Sequence, residues 1–394
     1  MKIPMSSPDL TVEDIQAVND VLETRYLSRG PKLKAFEESI SNYVGCKYAV
    51  GVNSGTSGLH LAVIAAGVKE NDYVITTPFS FIASANCILF QRAIPIFVDI
   101  DPKTFNIDPD RVSQATQDFI EGENLPNKWL PGKVEGPQSG EGNLKAILSV
   151  DAFGQPAEYE ALEKIADKND LVLIEDSCEA LGSKYKGKNA GSFGDVGVFA
   201  FYPNKQMTTG EGGMLVTDRE DWAKLFRSLR NQGRGESDQW LNHACLGFNY
   251  RMDEMSAALG LSQFKRIEML LKRRAWVADW YHQRIADTPD VWDLQISSST
   301  TRMSWFVYVI QTTSKHKRDA LIKGLNKEDV PSRPYFTPIH LQPFYRKSFG
   351  YQKGDYPETE HAADTCLALP FSSVMTEDQV AFVCNKIQDI LSSS

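Results

Sequence analysis

Two hydrophobic rhythms alternate along the first two-thirds of the chain. Thr11 to Leu22 opens on Thr11-Val12-Glu13-Asp14, a capping-box arrangement with Asp in place of the usual Glu, and predicts a helix. Lys34 to Val44 carries apolar side chains at 36, 40 and 44, the face of a second helix. Thr56 to Ala66 and Glu158 to Lys168 predict two more. Short, nearly continuous apolar runs also recur: Tyr73-Val74-Ile75, Ile94-Pro95-Ile96-Phe97-Val98, Ala146-Ile147-Leu148, Leu171-Val172-Leu173-Ile174, Val196-Gly197-Val198-Phe199-Ala200-Phe201 and Met214-Leu215-Val216. A strand that is apolar on both faces needs cover on both, so this alternation predicts an α/β sheet sandwiched by helices.

Residues 117–143 break the rhythm. They are polar and rich in Gly, Pro, Glu and Asn, and they read as a surface insertion. The character changes again near Arg266. A long helical segment to about Ile285 is followed by a strand-like run Trp305 to Ile310, a helix His316 to Leu325 and a last helix Thr376 to Leu391. The expected organisation is a large domain over 1–265 and a smaller α+β domain over 266–394. The N-terminal segment, to about residue 30, is expected to pack on the smaller one.

Composition narrows the class. At 394 residues and 42% hydrophobic the chain can bury a large core. A net charge of -9 gives no broad cationic field, so nucleic acid is not an expected partner, although a local arginine cluster still suits a small anion. No apolar run approaches the roughly 20 residues of a membrane span, and Met1-Lys2-Ile3-Pro4-Met5 lacks the apolar core of a signal peptide. The six cysteines form no C-x-x-C pair and the six histidines show no ligand spacing. The reading is a cytoplasmic protein without a metal site.

Four segments carry candidate chemistry. Asp176 ends the apolar run Val172-Leu173-Ile174-Glu175-Asp176, at the edge of the crevice where ligands of α/β sheets bind. Taken alone, an Asp there reads first as a turn-former or helix cap. Lys205 lies between the apolar run ending at Phe201 and the glycine-rich Thr209-Gly210-Glu211-Gly212-Gly213, a poor place for a solubilising lysine. Desolvation there would free its amine for imine formation. Asn53-Ser54-Gly55-Thr56-Ser57-Gly58 precedes a helix, and its N–H groups with the Thr56 and Ser57 hydroxyls suit an anion. The same residues also cap helices with no ligand present. Phe81 offers an aromatic face or simple core packing. Together these residues match what pyridoxal phosphate requires: a lysine for its imine, a carboxylate for its ring nitrogen, donors for its phosphate and a ring against its face.

In order along nearly the whole chain, the motifs resemble the DegT/DnrJ/EryC1/StrS family of pyridoxal-phosphate-dependent nucleotide-sugar aminotransferases. They include Tyr26-Leu27-Ser28-Arg29-Gly30-Pro31, Asn53-Ser54-Gly55-Thr56-Ser57, Phe153-Gly154-Gln155-Pro156-Ala157, Ile174-Glu175-Asp176, Lys205 with Thr209-Gly210-Glu211-Gly212-Gly213, Gly247-Phe248-Asn249-Tyr250-Arg251 and Pro338-Ile339-His340. The resemblance implies a fold-type I transferase with a mixed sheet and a smaller C-terminal α+β domain. It also implies a homodimer with shared active sites. Lys205 would carry the cofactor, Asp176 hold its ring nitrogen, Gly55 and Thr56 hold its phosphate, and Phe81 stack on its ring. Asn249 would reach the phosphate in the neighbouring subunit.

Three departures stand out: Ala200 where the family often has a phosphate-binding Ser, Glu179 where Gln or His is common, and Asp151 where His is common. Glu179 remains a candidate cofactor contact. Retention of Lys205 favours transamination over the dehydration of a His-bearing branch. The implied substrates are L-glutamate and a keto-sugar nucleotide, with Arg29, Arg230, Arg234, Arg251 and Arg333 as anion-binding candidates and His340 as a candidate for the sugar site. The short Lys205-to-Glu211 spacing resembles members acting at C4. Other enzymes of this fold, or a non-catalytic regulator, are the competing readings; a regulator would be expected to lose Lys205 or Asp176.

Overall fold

The computed structural model describes residues 3–121, 129–130, 132, 142–235 and 242–392. The central sheet is built from β1 (Tyr48–Val52), β2 (Tyr73–Thr76), β3 (Ile94–Phe97), β4 (Leu144–Val150) and β5 (Val172–Asp176). After the short hairpin β6 (Lys184–Tyr185) and β7 (Lys188–Asn189), β8 (Val196–Ala200) and β9 (Gly213–Thr217) complete it. The spatial order is β1-β9-β8-β5-β4-β2-β3. Strands β3, β2, β4, β5 and β8 pair in parallel, whereas β9 runs antiparallel to both β8 and β1, so the sheet is mixed.

Alternate residues of each apolar run serve opposite faces. Val74, Leu148, Ile174 and Val198 pack with the buried helix Gly55–Ala65 through Leu59 and Val63. Their neighbours Ile75, Ile147 and Leu173 pack with helices Pro109–Glu121 and Tyr159–Lys168 through Val112 and Leu162. That two-sided burial is why these strands read as continuous rather than alternating.

A second sheet is antiparallel. It comprises β10 (Val291–Asp293), β12 (Tyr308–Thr312), β13 (Arg333–Pro334) and β14 (Cys366–Leu369) in the order β10-β12-β14-β13. The intervening β11 (Thr300–Arg302) pairs instead with β6. Helices Ile267–Ile285, Lys315–Lys327 and Glu377–Ser392 cover the second sheet through Tyr281, Leu321 and Val383. Ile3 joins this core, and the Met5 carbonyl accepts from the Phe371 N–H. Helix Val12–Leu22 lies elsewhere. Its capping box forms as expected, with Thr11 and Asp14 exchanging hydrogen bonds, and Asp14 also accepts from Gln263 at 2.7 Å and pairs with Arg266 at 2.9 Å.

Two local expectations change. The run Trp305 to Ile310 is not one strand: Trp305 takes a positive φ of 54°, and β12 starts only at Tyr308. Of the polar stretch 117–143, residues 117–121 complete helix Pro109–Glu121, and Trp129 is buried with its Nε1 donating to Asp118 at 2.7 Å. Residues 122–128, 131 and 133–141 of that stretch lie outside the described residues. Among the described residues no helix is long and apolar enough to cross a membrane.

Candidate active site

The carboxyl ends of β4, β5 and β8 meet the start of helix Gly55–Ala65 around a cavity of about 490 Å³. This is where an α/β sheet places its ligands. Gly55, Thr56, Phe81, Asp176, Glu179 and Lys205 all line it.

Asp176 is the last residue of β5 and is 5% exposed. Its Oδ2 accepts from the Ser84 hydroxyl at 2.6 Å and its Oδ1 from the Cys178 N–H at 3.3 Å. Ser84 is braced in turn by the Ser80 hydroxyl at 2.7 Å. These bonds fix the carboxylate and leave acceptor capacity for a third donor in the cavity.

Lys205 sits in the turn after β8, its N–H donating to the Tyr202 carbonyl at 2.9 Å. Its Nζ lies 3.5 Å from Glu179 Oε1 and 3.9 Å from the centre of the Phe306 ring. The other Glu179 oxygen accepts from the Phe153 N–H at 2.9 Å. Burial raises the Glu179 carboxyl, and the Lys205 charge and the Phe153 donor oppose that rise. The lysine tip is thus held between an acid and an aromatic face.

At the helix start, Ser54 is the cap: its Oγ accepts from the Ser57 N–H at 3.1 Å. The Ser57 hydroxyl donates to Asn53 Oδ1 at 2.7 Å, so it serves the cap rather than the cavity it was expected to face. Gly55 and Thr56 do face the cavity. A Cβ on Gly55 would lie 2.8 Å from the Ala200 Cβ and 2.9 Å from Cys178 Sγ, so only glycine fits between β8 and the helix. The later glycines work similarly. Gly212 lines the cavity, and a Cβ on Gly213 would meet the Ser54 carbonyl at 2.5 Å, so Gly213 lets β9 press against the Ser54-Gly55 turn.

The remaining candidates do not line this cavity. His340 is fully buried, with Nε2 3.1 Å from Glu360 Oε1 and its ring against Tyr356, and burial lowers its pKa. It is a core histidine, not a wall of the cavity. Arg230 is likewise buried, spent on Glu37 and the Gly51 carbonyl at 2.6 Å. Arg251 donates to Asn231 and Gln232 at 3.2 and 3.1 Å. Arg29 is exposed, and partial desolvation together with the like charges of Arg230, Arg234 and Arg251 lowers its guanidinium pKa. Asn249 is exposed beside its bridge partner Asn231. Arg333 is exposed in β13.

The structure adds residues that the sequence reading does not include. Ser84 stands three residues after Phe81, within reach of the same motif. Phe306 was hidden in a run that reads as strand. Tyr202 and Tyr335 also line the cavity.

Asp151 sits behind the site. It is fully buried and accepts from Tyr159 and Ser177 hydroxyls, both at 2.6 Å, and from the Ala157 N–H at 3.0 Å. Burial pushes its carboxyl up to about 7. The neighbouring Glu175 is also pushed up by burial, but three backbone N–H donors from Gly191, Phe193 and Gly194 favour its ionised form and cannot reverse. With Asp151 protonated, the Ser177 hydroxyl can turn to accept a hydrogen bond from it. The native state therefore keeps a proton that the unfolded chain has already lost, and this contribution to stability is lost as pH rises through about 7. Asp151→Asn keeps an acceptor for Tyr159 and a donor for Ser177. At about pH 8 it is expected to melt roughly 3–6 °C above wild type, with the gap narrowing as pH falls below about 7 and closing below about pH 4, where the unfolded carboxyl is protonated too. Equal differences at both ends of that range in a calorimetric scan would rule this out.

A mixed seven-stranded sheet, with a lysine after β8 facing an aspartate at the end of β5 across a helix N-terminus, defines the class: a fold-type I, pyridoxal-phosphate-dependent aminotransferase. Residues 8–388 match the model of the DegT/DnrJ/EryC1/StrS aminotransferase family, and the chain belongs to that family. It is 33% identical over 403 residues to the spore coat polysaccharide biosynthesis protein SpsC of Bacillus subtilis, covering 99% of this chain and 97% of that one. It is 32% identical over 391 residues to the GDP-perosamine synthase of Escherichia coli O157:H7, covering 99% and 98%. Among solved structures, Helicobacter pylori PseC, an aminotransferase of pseudoaminic acid biosynthesis, superposes with a TM-score of 0.88 at 27% identity over 100% of both chains.

Proposed function

We propose that this chain transfers an amino group from L-glutamate to the keto carbon of a nucleotide-linked sugar, at C4. The observation that carries the reading is the meeting of Lys205, Asp176 and the Gly55-Thr56 helix start in one cavity. Those groups fit pyridoxal phosphate in kind and in space. Gly55 lets the helix start close against β8 at the cavity edge, and the helix start suits a phosphate. When bound, the cofactor supplies an electron sink.

The chain supplies the rest. Asp176 holds a proton on the ring nitrogen. Lys205 anchors the cofactor, and its freed Nζ takes and returns the proton that moves during transfer. Glu179 stands within reach of that Nζ to fix its position. Phe81 is 62% exposed and gives the ring its stacking face. Exposed Asn249, with Leu246 and Tyr26 at 87% and 66% exposure, suits a homodimer in which Asn249 serves the partner's cofactor phosphate. Arg29, Arg234 and Arg251 form a cationic group for the glutamate carboxylate or the nucleotide diphosphate. Arg230 adds its like charge behind that group while paired with Glu37.

Relatives named for GDP-perosamine synthesis and spore coat polysaccharide biosynthesis support a nucleotide-sugar substrate, and the Lys205-to-Glu211 spacing supports C4. The test is a panel of 4-keto and 3-keto nucleotide sugars with glutamate, read by mass spectrometry for an amino product and 2-oxoglutarate. Amination of 3-keto substrates alone would overturn the C4 assignment. A protein that takes no amino group from glutamate would overturn the donor.

Ala200 gives a further expectation. Its Cβ is next to the Gly55 backbone, so Ala200→Ser places a hydroxyl at the phosphate turn. Cofactor affinity, measured by equilibrium dialysis, should rise about tenfold, the worth of one hydrogen bond to a charged group. Unchanged or weaker affinity would show that the hydroxyl does not reach the phosphate.

A further inference from the structure

Arg274 lies midway along helix Ile267–Ile285, where that helix passes from one core to the other. Ile267, Leu270 and Leu271 pack beneath the central sheet, and Val277, Ala278 and Tyr281 pack against the second. Arg274 is 2% exposed, and among the described residues no carboxylate pairs with it. Its hydrogen-bond partners are four neutral carbonyls, and its guanidinium also lies 5.6 Å from the centre of the Phe371 ring. One terminal nitrogen donates to Trp305 at 3.1 Å and Phe306 at 3.2 Å, and the other to Asn204 at 3.2 Å and Lys205 at 2.6 Å. Burial lowers the guanidinium to about 10, so it is still charged near neutral pH. A buried cation without a counter-ion is costly, and a helix staple needs no such group.

The four carbonyls belong to two segments that flank the Lys205 side chain. One segment is the backbone of Lys205 itself. The other carries Phe306, whose ring centre lies 3.9 Å from Lys205 Nζ. Gln206 adds a third tie, donating to the Glu179 carbonyl and, at 2.8 Å, to the Ser304 hydroxyl. The planar fork of an arginine can hold two pairs of carbonyls in fixed relation, which a lysine cannot do.

We propose that Arg274 is a positioning residue that sets where Lys205 Nζ stands in the cavity, by holding the lysine's backbone and its aromatic wall at once. The proposal rests on the reading of Lys205 as the cofactor's lysine. A fork that loosens lets the amine and the wall drift apart, and misplacement of a reacting group slows its reaction more than it weakens the fold.

The test uses full-length protein. Pyridoxal phosphate is added to cofactor-free wild type, Arg274→Lys, Arg274→Gln and Phe306→Leu. The rate of appearance of the visible imine band and the pH midpoint of that band are measured, with thermal melting alongside. The titratable groups that share the cavity with Lys205 are Asp176, Cys178, Glu179, Tyr202, Glu211 and Tyr335, and none of them is altered. In the Arg274 variants imine formation should slow about tenfold. The midpoint should fall by about half a unit in all three, because the ring face favours the charged form. Folded Arg274 variants whose rate and midpoint match wild type overturn the proposal. If neither Arg274 variant folds, Phe306→Leu decides: a lowered midpoint supports the proposal and a wild-type midpoint overturns it. A wild type with no visible band overturns both the proposal and the reading of Lys205 on which it rests.

Discussion

Replacing Lys205 with alanine is expected to remove the visible imine band and cut amino transfer by at least about 10⁴-fold. Two losses combine. The variant has no amine to anchor the cofactor, and no Nζ to move the proton afterwards. Its surroundings lose little, because among the described residues the Lys205 side chain bonds only Glu179 and lies against Phe306. Truncation leaves the Glu179 carboxylate in its buried site without a cation, which favours its protonated form further. The fold should persist, since the Lys205 backbone keeps its bonds to Tyr202 and Arg274. Non-covalent cofactor should still bind at the Gly55-Thr56 turn. A variant that retains more than about one hundredth of the wild-type rate would point to another proton carrier.

Asp176→Asn should cost about 10²–10³-fold in kcat/KM, roughly 3–4 kcal/mol of transition-state stabilisation. The amide can still accept from Ser84, so the strand end and the Ser80-Ser84 brace should hold. What disappears is the negative charge opposite the ring nitrogen. The imine band should therefore remain, with activity lost, which separates this variant from Lys205→Ala. Loss of the band together with activity would mean that Asp176 shapes the cavity rather than the chemistry.

The sheet was legible because its strands are apolar on both faces, and runs such as Leu171 to Ile174 have no other stable use. The site followed from where those runs end: Asp176 closes β5 and Lys205 follows β8. Helix Glu220–Leu229 carries an equally clear stripe in Trp222, Phe226 and Leu229, a signal the reading above does not use. Helix Glu254–Phe264 is harder to see, because Ala257, Ala258 and Gly260 pack by being small rather than by being strongly apolar. The break at Trp305 depends on a positive φ in a residue that usually avoids one.

Charged residues were the least readable. Arg230 and Arg29 look alike in sequence, yet one is locked to Glu37 inside the fold and the other is exposed. His340 follows a family motif but turns into a tyrosine-lined core. Arg274, which the sequence reading leaves unremarked, is the largest of the fully buried side chains among the described residues. Which partner a guanidinium finds depends on contacts between segments far apart in sequence, and spacing alone carries no trace of them.

The central claim is that Lys205 is the residue joined to the cofactor. Its most direct measurement is borohydride reduction of the protein with bound pyridoxal phosphate, followed by peptide mass mapping. The expected result is a single phosphopyridoxyl label on the peptide containing Phe199-Ala200-Phe201-Tyr202-Pro203-Asn204-Lys205, lost in Lys205→Ala. A label on any other lysine, or bound cofactor that borohydride leaves unattached, would show that Lys205 does not hold it.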